Sequence, residues 1–456
     1  MTRSPDELCL SQNSQRGVPL LLAELCSPRP HQGVSDLNED GGWRFMGRNG
    51  EGVVGVRARL LVAKGSFSTM GGAERDIIRN LPALSKKFEV SVATLDSANR
   101  LDSICEEYNI KLMKPDINWK PPRTAVSRIL NKEFSSSLRS WKSVVGLVES
   151  FIGLDYIHLT SGDGSLSMLE IIPDGISLHL HLLEPHRGLH EDVLHRMIDG
   201  SPRRNLSLTR AALSIARRKD LSKIRLLSSR DRTAISGNSK FTSSRIGEVY
   251  GIPSGVLPPS LDPEEFSPES PISDASPLVG IEGPYVVTIG RASWVKGTWE
   301  TISMLKHSGL SLALVGGGEE ESIDSLMEHA KASKVGIWVA PRLESSELCS
   351  LIRGAVAVVS MAYSEPFGLT PIEAQFLGTP ALFVDEGGFR ETITDGVSGR
   401  LLPRYDYSEW HAALEEAKDN HNRSSWSENG RVSISKMGLN PEVFSTRLEE
   451  IFLSLG

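Results

Sequence analysis

The sequence predicts an α/β protein in which two doubly wound parallel sheets face each other across a central cleft. Short apolar runs alternate with segments of helical period in two successive series, which is typical of parallel strands covered by helices on both faces. A Pro- and Ser-rich stretch, residues 258–284, separates the two series. Because ligands bind beyond the carboxyl ends of parallel strands, we expect the functional site between the sheets.

The elements of each series follow from apolar patterning. The first series begins at residues 59–63, an apolar run that predicts a buried strand. Further strands are predicted over 88–94, 156–159, 176–182 and 233–236, and helices over 72–85, 164–172 and 206–229. The second series predicts strands over 285–289, 311–315, 336–340, 356–360 and 381–384, and helices over 297–306, 319–331, 345–353, 371–377 and 388–394.

These patterns divide the chain into five regions. Residues 1–56 are rich in Ser, Pro, Gly, Asn and Arg without a sustained period, and we expect them to be poorly ordered, with Met46 as an alternative start. A first domain is predicted over 57–270, a linker over 271–284 and a second domain over 285–437. We expect residues 438–456 to form a helix that packs back on the first domain.

Composition excludes several classes of protein. Of the 456 residues, 39% are apolar and 23% charged, which suits a soluble globular chain, and the net charge of −7 argues against nucleic-acid binding. The four cysteines lie far apart, so neither a zinc site nor a disulfide framework is indicated. The apolar run at 18–25 is too short to span a membrane. We therefore expect a cytoplasmic protein.

A basic stretch at residues 203–232 stands out from this acidic background. It holds ten basic residues against two acidic ones. One interpretation is a solvated helix face. The other is peripheral docking on anionic lipid headgroups at the inner membrane face, or on a phosphate-bearing acceptor. No aromatic residue interleaves the charges, which disfavours nucleic acid.

The segment 364–374 predicts an anion site. Pro371 fits the first turn of a helix, where its missing N–H costs nothing. Phe367, Gly368 and Leu369 then present free backbone amides at a helix N-terminus, an arrangement suited to a diphosphate.

Two carboxylates lie on either side of these amides. Glu373 lies one turn into the predicted helix, where it could accept hydrogen bonds from a ribose diol, and Glu365 follows a strand. The alternative is that Glu373 only complements the helix dipole and Glu365 is a solvated loop residue.

Arg291 and Lys296 supply two cations in the loop after the first strand of the second domain. Fixed cations can stabilise charge that builds on a departing diphosphate; the alternative is two unpartnered surface residues. No convincing Asp-x-Asp triplet follows a strand, so we expect no metal requirement and no cofactor.

On the first domain, Gly71 and Gly72 follow a strand and precede a helix, which allows close approach of a phosphate or sugar, or serves a simple tight turn. His179 and His181 lie two apart in a strand and so share one face. A buried structural role is open for either histidine, and a metal site lacks a third ligand of clear spacing.

Taken in order, these motifs resemble those of the family 4 group of retaining glycosyltransferases, which have the GT-B fold of two Rossmann-like domains. The resemblance spans about residues 57–402. It rests on Glu365-x7-Glu373, Gly290–Gly297 with its Gly-Arg…Lys-Gly pattern, Gly387-Gly-Phe-Arg-Glu391, Asp395-Gly-Val-Ser-Gly399, Gly71-Gly-Ala-Glu-Arg75, Asn238-Ser-Lys-Phe241 and Pro258-Pro-Ser-Leu-Asp262…Phe266.

The resemblance implies a role for each predicted site residue. Glu373 would hold the ribose, and Arg291, Lys296 and the amides from Phe367 onward would hold the diphosphate. Glu365, Gly387 and Gly388 would lie near the sugar. His181, which lies nearer the loop than His179, would reach the reaction centre, and Gly71 and Gly72 would lie on the acceptor side.

The predicted function is metal-independent transfer, with retention, of a sugar from a UDP- or GDP-sugar to an acceptor such as a glycan, a lipid-linked saccharide or a small molecule. Two alternatives remain open: a non-catalytic nucleotide-sugar-binding protein, and a GT-B-like nucleotide-sugar epimerase. The sequence does not identify the donor base, the sugar or the acceptor.

Overall fold

The computed structural model describes residues 57–68, 70–121, 132–261, 266 and 283–456, together with the backbone of two short strands. These strands, β1 (Arg44–Met46) and β2 (Gly52–Val54), pair antiparallel within residues 1–56, which form a unit of their own. The rest of the predicted N-terminal extension, and nearly all of the predicted linker 271–284, lie outside the described residues.

The described residues from 57 onward form two all-parallel sheets. The first sheet has the strand order β5-β4-β3-β6-β7-β8-β9, and we call it and its helices the first lobe. Its strands are β3 (Arg59–Ala63), β4 (Glu89–Ala93), β5 (Lys111–Met113), β6 (Tyr156–Thr160), β7 (Ser177–His181), β8 (Thr233–Gly237) and β9 (Gly255–Val256). Its helices are α1 (Gly72–Lys87), α2 (Asn99–Glu107), α3 (Lys132–Ser143), α4 (Leu147–Ser150), α5 (Arg187–His190), α6 (Leu206–Ala212), α7 (Ser214–Ser228) and α8 (Lys240–Tyr250).

The second sheet has the order β12-β11-β10-β13-β14-β15 and forms the second lobe. Its strands are β10 (Tyr285–Ile289), β11 (Ser311–Val315), β12 (Ile337–Ala340), β13 (Val358–Ser360), β14 (Ala381–Val384) and β15 (Arg400–Leu402). Its helices are α9 (Thr298–Leu305), α10 (Glu320–Ser333), α11 (Ser345–Gly354), α12 (Leu369–Phe376), α13 (Phe389–Thr392), α14 (Tyr407–Glu416) and α15 (Asn420–Met437). The predicted class, two doubly wound α/β units, is confirmed.

Strands at the centre of each sheet are buried on both faces, which explains why they appear in the sequence as continuous apolar runs rather than alternating ones. In β3, Leu60, Leu61 and Val62 are all buried, although neighbouring side chains point to opposite faces. Strand β14 is buried throughout. The helices of each lobe therefore cover both faces of its sheet.

The chain returns to the first lobe at its last helix, α16 (Pro441–Leu453). The side chain of Asn440 caps this helix by accepting a hydrogen bond from the amide of Val443. Its apolar face places Phe444, Leu448 and Phe452 in one cluster with residues of β3, β4 and α1. The first lobe thus completes part of its core with residues from the far end of the sequence.

Two predicted helices differ from the structure. Residues 164–172 form only a 3-10 segment, Ser165–Glu170. The helix predicted over 206–229 is two helices, α6 and α7, which meet at Leu213.

Candidate functional site

The predicted anion site is built by a sharp turn into α12. Gly368 takes up the left-handed conformation (φ 93°) and serves as the N-cap. Phe367 is buried in a cluster with Ile372, and Leu369 packs at the edge of that cluster. The first amides of α12, like those of any α-helix, have no acceptors inside their own helix and can donate hydrogen bonds to an anion.

The loop at Gly387 and Gly388 packs directly against this segment. The amide of Gly388 donates to the carbonyl of Glu365 at 2.7 Å. A Cβ atom at Gly387, whose φ is 61°, would lie 2.6 Å from that carbonyl oxygen, so no side chain fits there. The structure thus brings the two glycines into contact with the segment 365–369.

Lys296 and Glu365 meet at the mouth of the site. The Nζ of Lys296 lies 2.8 Å from a carboxylate oxygen of Glu365, and both side chains are partly exposed to the cleft. Arg291 is exposed, and the described part of the chain offers it no ion pair. Glu373 lies one turn into α12 and is buried.

The first lobe contributes its glycine loop to the opposite wall. A Cβ atom at Gly72 would lie 3.5 Å from a methyl carbon of Leu369, so the loop faces the start of α12 across the cleft. Gly71 is the N-cap of α1. Both predicted glycines therefore lie opposite the start of α12, where the anion site is predicted.

Beneath this loop lies a buried ion pair that the sequence analysis missed. Lys64, directly after β3, places Nζ 3.1 Å from the carboxylate of Glu74 in the first turn of α1. The two side chains are 5% and 9% exposed. The sequence shows a lysine directly after an apolar strand and a glutamate shortly after Gly71-Gly72. Nothing in the local sequence, however, indicates that the two side chains form an ion pair.

A second group missed from the sequence connects the lobes near Glu184. Arg187 donates to Glu191 at 3.0 Å and to the carbonyl of Tyr363, in the second lobe, at 2.9 Å. The carboxylate of Glu184 lies 4.0 Å from Arg187. Partial desolvation by the cleft walls raises the pKa of Glu184; Arg187 opposes this shift, and the charge of Glu365 adds to it.

The structure corrects the assignment of His181 to the reaction centre. His181 is 2% exposed, and its Nε2 lies 3.0 Å from the carbonyl oxygen of Leu257 inside the first lobe. His158 and His179 stack beside it, and α16 covers them with Phe444 and Phe452. Strand alternation did put the histidines on one face, but that face is the one sealed by the C-terminal helix.

Burial dominates the protonation of this histidine cluster. It lowers the pKa of His158 and of His179, and the neighbouring histidines lower them further. It lowers the pKa of His181 to about 4, against the opposing effect of the bond to Leu257. The three rings are therefore neutral near pH 7.

A further contact joins the lobes at the start of α8. The amides of Lys240 and Phe241 donate to the two carboxylate oxygens of Glu391, at 3.0 and 2.8 Å. The hydroxyls of Ser239 and Thr242 donate to the carbonyl of Pro366. Pro366 is thus bonded to the first lobe, while the adjacent Glu365 is bonded within the second lobe.

Comparison with known proteins assigns the second lobe. Residues 274–433 match the family described as glycosyl transferases group 1. These residues form a glycosyl transferases group 1 domain. It contains Arg291, Lys296, Glu365, Glu373 and the Gly387–Gly388 loop, and the resemblance predicted for this region is confirmed.

Curated relatives match about a third of the chain. The D-inositol 3-phosphate glycosyltransferase of Xylanimonas cellulosilytica is 29% identical over 173 residues, 35% of this chain and 41% of that protein. The protein of the same name from Corynebacterium jeikeium is 30% identical over 176 residues, 35% of this chain and 42% of that protein. The match therefore spans less than half the length of these relatives.

Solved structures resemble the chain over most of its length. Sucrose-phosphate synthase from Thermosynechococcus elongatus has a TM-score of 0.65 at 15% identity, covering 88% of this chain and 99% of that one. Anabaena HepE in complex with UDP and glucose has a TM-score of 0.60 at 15% identity, covering 87% and 100%. The GT-B fold predicted from the motifs is confirmed.

The described residues offer neither a metal-binding cluster nor a membrane-spanning helix. They contain no cluster of three or more His, Cys, Asp or Glu side chains arranged to hold a metal ion. They also contain no helix that combines the length and the apolar character needed to cross a bilayer.

Proposed function

We propose that the chain is a glycosyltransferase that transfers a sugar, with retention and without a metal ion, from a UDP- or GDP-sugar to a hydroxyl group of an acceptor. The observation that carries the proposal is the meeting of Lys296, Glu365 and the Gly387–Gly388 loop at the N-terminus of α12. The family match of the second lobe, the names of its relatives and the UDP bound to HepE support it.

In this proposal the second lobe holds the donor. The first amides of α12 and the ammonium group of Lys296 bind the diphosphate, and Arg291 reaches it from the exposed edge. Glu373 accepts hydrogen bonds from the ribose. Because negative charge builds on the leaving oxygen in the transition state, these fixed positive groups lower the barrier.

The Lys296–Glu365 ion pair also affects how the site responds to the donor. Without donor, Glu365 neutralises the cation that would hold the phosphate. An arriving diphosphate shares Lys296 with Glu365, which leaves the carboxylate beside the sugar. The bond between the sugar and the diphosphate breaks with its electron pair on the phosphate oxygen. The acceptor oxygen attacks the same face, and its proton passes to the departing phosphate.

The proposal is tested with a panel of nucleotide sugars in the presence of EDTA, with released nucleotide diphosphate as the readout. We expect turnover of one donor class, and Lys296→Ala and Glu373→Ala each to lower it at least about tenfold, as loss of a charged contact of ~1.5–3 kcal/mol would. Lys306→Ala and Glu328→Ala, exposed residues of the same lobe, are the matched controls.

Each alternative gives a different result. Thermal stabilisation by UDP or GDP without transfer or hydrolysis across the panel would identify a non-catalytic binder. Conversion of the donor into its sugar epimer without release of diphosphate would identify an epimerase. Full activity in both Ala variants would refute the assigned donor site, and turnover that EDTA abolishes would refute metal independence.

The proposed acceptor is a glycan, a lipid-linked saccharide or a small molecule.

We also propose that the protein is cytoplasmic and contacts the membrane peripherally. Of the ten basic residues in 203–232, seven bind carboxylates or carbonyls of the protein itself. The described part of the chain gives no such partner to Arg204, Arg218 or Lys219. Arg218 and Lys219 lie between Ile215 and Leu226 on the outer stripe of α7, and these apolar side chains are 66% and 73% exposed.

Exposed aliphatic side chains beside free cations suit an anionic bilayer. Sedimentation with vesicles tests this contact: we expect binding to phosphatidylglycerol vesicles, loss of binding in Arg218→Glu/Lys219→Glu, and little binding to phosphatidylcholine. Equal sedimentation of this variant and the wild type would refute it.

A further inference from the structure

Glu391 forms a two-point polar contact between the lobes. It lies on α13, three residues after Gly388, and its two carboxylate oxygens accept hydrogen bonds from the first two amides of α8 in the first lobe. These amides have no acceptor within their own helix, and the positive end of the helix dipole adds to the attraction. A charged acceptor makes such bonds about twice as strong as neutral ones.

The same end of α8 also binds Pro366, in the segment that leads into α12. Ser239 is the N-cap of α8, and its hydroxyl and that of Thr242 bond to the carbonyl of Pro366. On the other side, the amide of Gly388 bonds to the carbonyl of Glu365. Residues 365–366 are therefore held between the first lobe and the loop that leads to Glu391.

We propose that Glu391 is a positioning residue that couples closure of the two lobes to the geometry of the donor site. It acts through α8 and the Gly387–Gly388 loop, without touching the donor, and the inference rests on the proposed transferase function. A donor that orders residues 365–369 favours the arrangement in which Glu391 meets α8. Closure in turn fixes that segment and excludes water from the sugar.

Two changes interrupt the contact from opposite sides. Glu391→Gln removes the charge at nearly constant shape. Lys240→Pro removes one of the two donating amides, and Lys240 is the first residue of α8, where proline is well tolerated. The preceding residue, Ser239, has φ −154° and ψ 166°, an extended conformation that proline permits in the residue before it. Glu320→Pro, at the matching first position of α10, is the control for the proline itself.

Inter-lobe distance is the first measurement, because it does not require activity. Spin labels on exposed positions of α2 and α10 report the distance distribution by pulsed electron spin resonance, in the free protein and with UDP or GDP. We expect Glu391→Gln and Lys240→Pro to broaden it towards longer distances, and Glu320→Pro to match the wild type. Combined, the two changes should have no larger effect than either alone, because they break one contact.

The fate of the donor sugar is the second measurement. Water enters an incompletely closed site, so we expect the ratio of donor hydrolysis to transfer to rise at least about fivefold in both variants, with nucleotide affinity changed less than about threefold. Glu391→Asp should restore part of the ratio because it keeps the charge. A purely structural role would lower the melting temperature without moving this ratio.

The outcomes separate the two proposals. Wild-type distance distributions and wild-type ratios in both Glu391→Gln and Lys240→Pro would overturn the role of Glu391 while leaving the transferase intact. A wild-type protein that neither transfers nor hydrolyses any donor would overturn the proposed function, and the distance measurement would still decide whether Glu391 holds the lobes together.

Discussion

The buried pair Lys64–Glu74 offers the sharpest stability prediction. At 3.1 Å and an effective dielectric constant of about 20, the attraction is about 5 kcal/mol, but the cost of removing both charges from water is of similar size. Removing one partner leaves the other charge buried and alone. We therefore expect Lys64→Met and Glu74→Met each to lower the free energy of unfolding by about 3–5 kcal/mol, and the double variant to recover most of that loss.

Equilibrium urea unfolding followed by tryptophan fluorescence measures these differences, since Trp119 and Trp141 lie in the core of the first lobe. Lys86→Met is the matched control. Lys86 lies on α1, the helix that contains Glu74, and pairs with Glu442, and both side chains of this pair are mostly exposed. It should change stability by no more than about 1 kcal/mol. Single-variant losses that simply add in the double variant would refute a buried, mutually dependent pair.

Further predictions concern pH, packing and the donor site. The pKa of His181 is about 4 in the folded protein against 6.5 ordinarily, so the free energy of unfolding should fall by about 3 kcal/mol as the pH falls from 6.5 to 4. His181→Gln should flatten that part of the profile of urea midpoint against pH. Burial raises the pKa of Asp76 to about 6 from 3.8, so its ionisation should lower the free energy of unfolding by about 3 kcal/mol as the pH rises from 3.8 to 6. An Asp76→Asn variant that still shows this loss would contradict the assignment. Leu448→Ala empties a fully buried site between α16 and the first lobe and should cost about 2–5 kcal/mol, measured by the same unfolding assay. Glu365→Gln frees Lys296 from its ion-pair partner, so calorimetry should show that the variant binds UDP or GDP at least as tightly as the wild type, while turnover falls. Weaker binding would contradict the view that Glu365 and the diphosphate compete for Lys296.

Strands could be predicted from the sequence where burial on both faces produces an uninterrupted apolar run. Strands β3, β10, β11 and β14 have the predicted bounds for this reason. Helix α15 was not predicted, since its sequence is largely polar and only a few of its residues are buried. Tertiary packing, rather than a local apolar face, stabilises such a helix.

The candidate site was predictable where one short segment builds it. The amides at the start of α12 and the glycines at 387–388 follow from local turn and helix rules. The position of His181 was not predictable, because strand alternation shows which residues share a face but not which layer covers that face. The pairing of Lys64 with Glu74, and the contact between Glu391 and α8, depend on chain folding over larger separations and have no local signal.

The return of α16 to the first lobe has a consequence for synthesis of the chain. Phe444, Leu448 and Phe452 complete a core whose other members lie mostly before residue 111. The early part of the polypeptide emerges from the ribosome long before these residues exist, so this apolar surface stays uncovered until residues 441–453 have been synthesised. A chain truncated before residue 441 would therefore have a first lobe with an open, aggregation-prone apolar face.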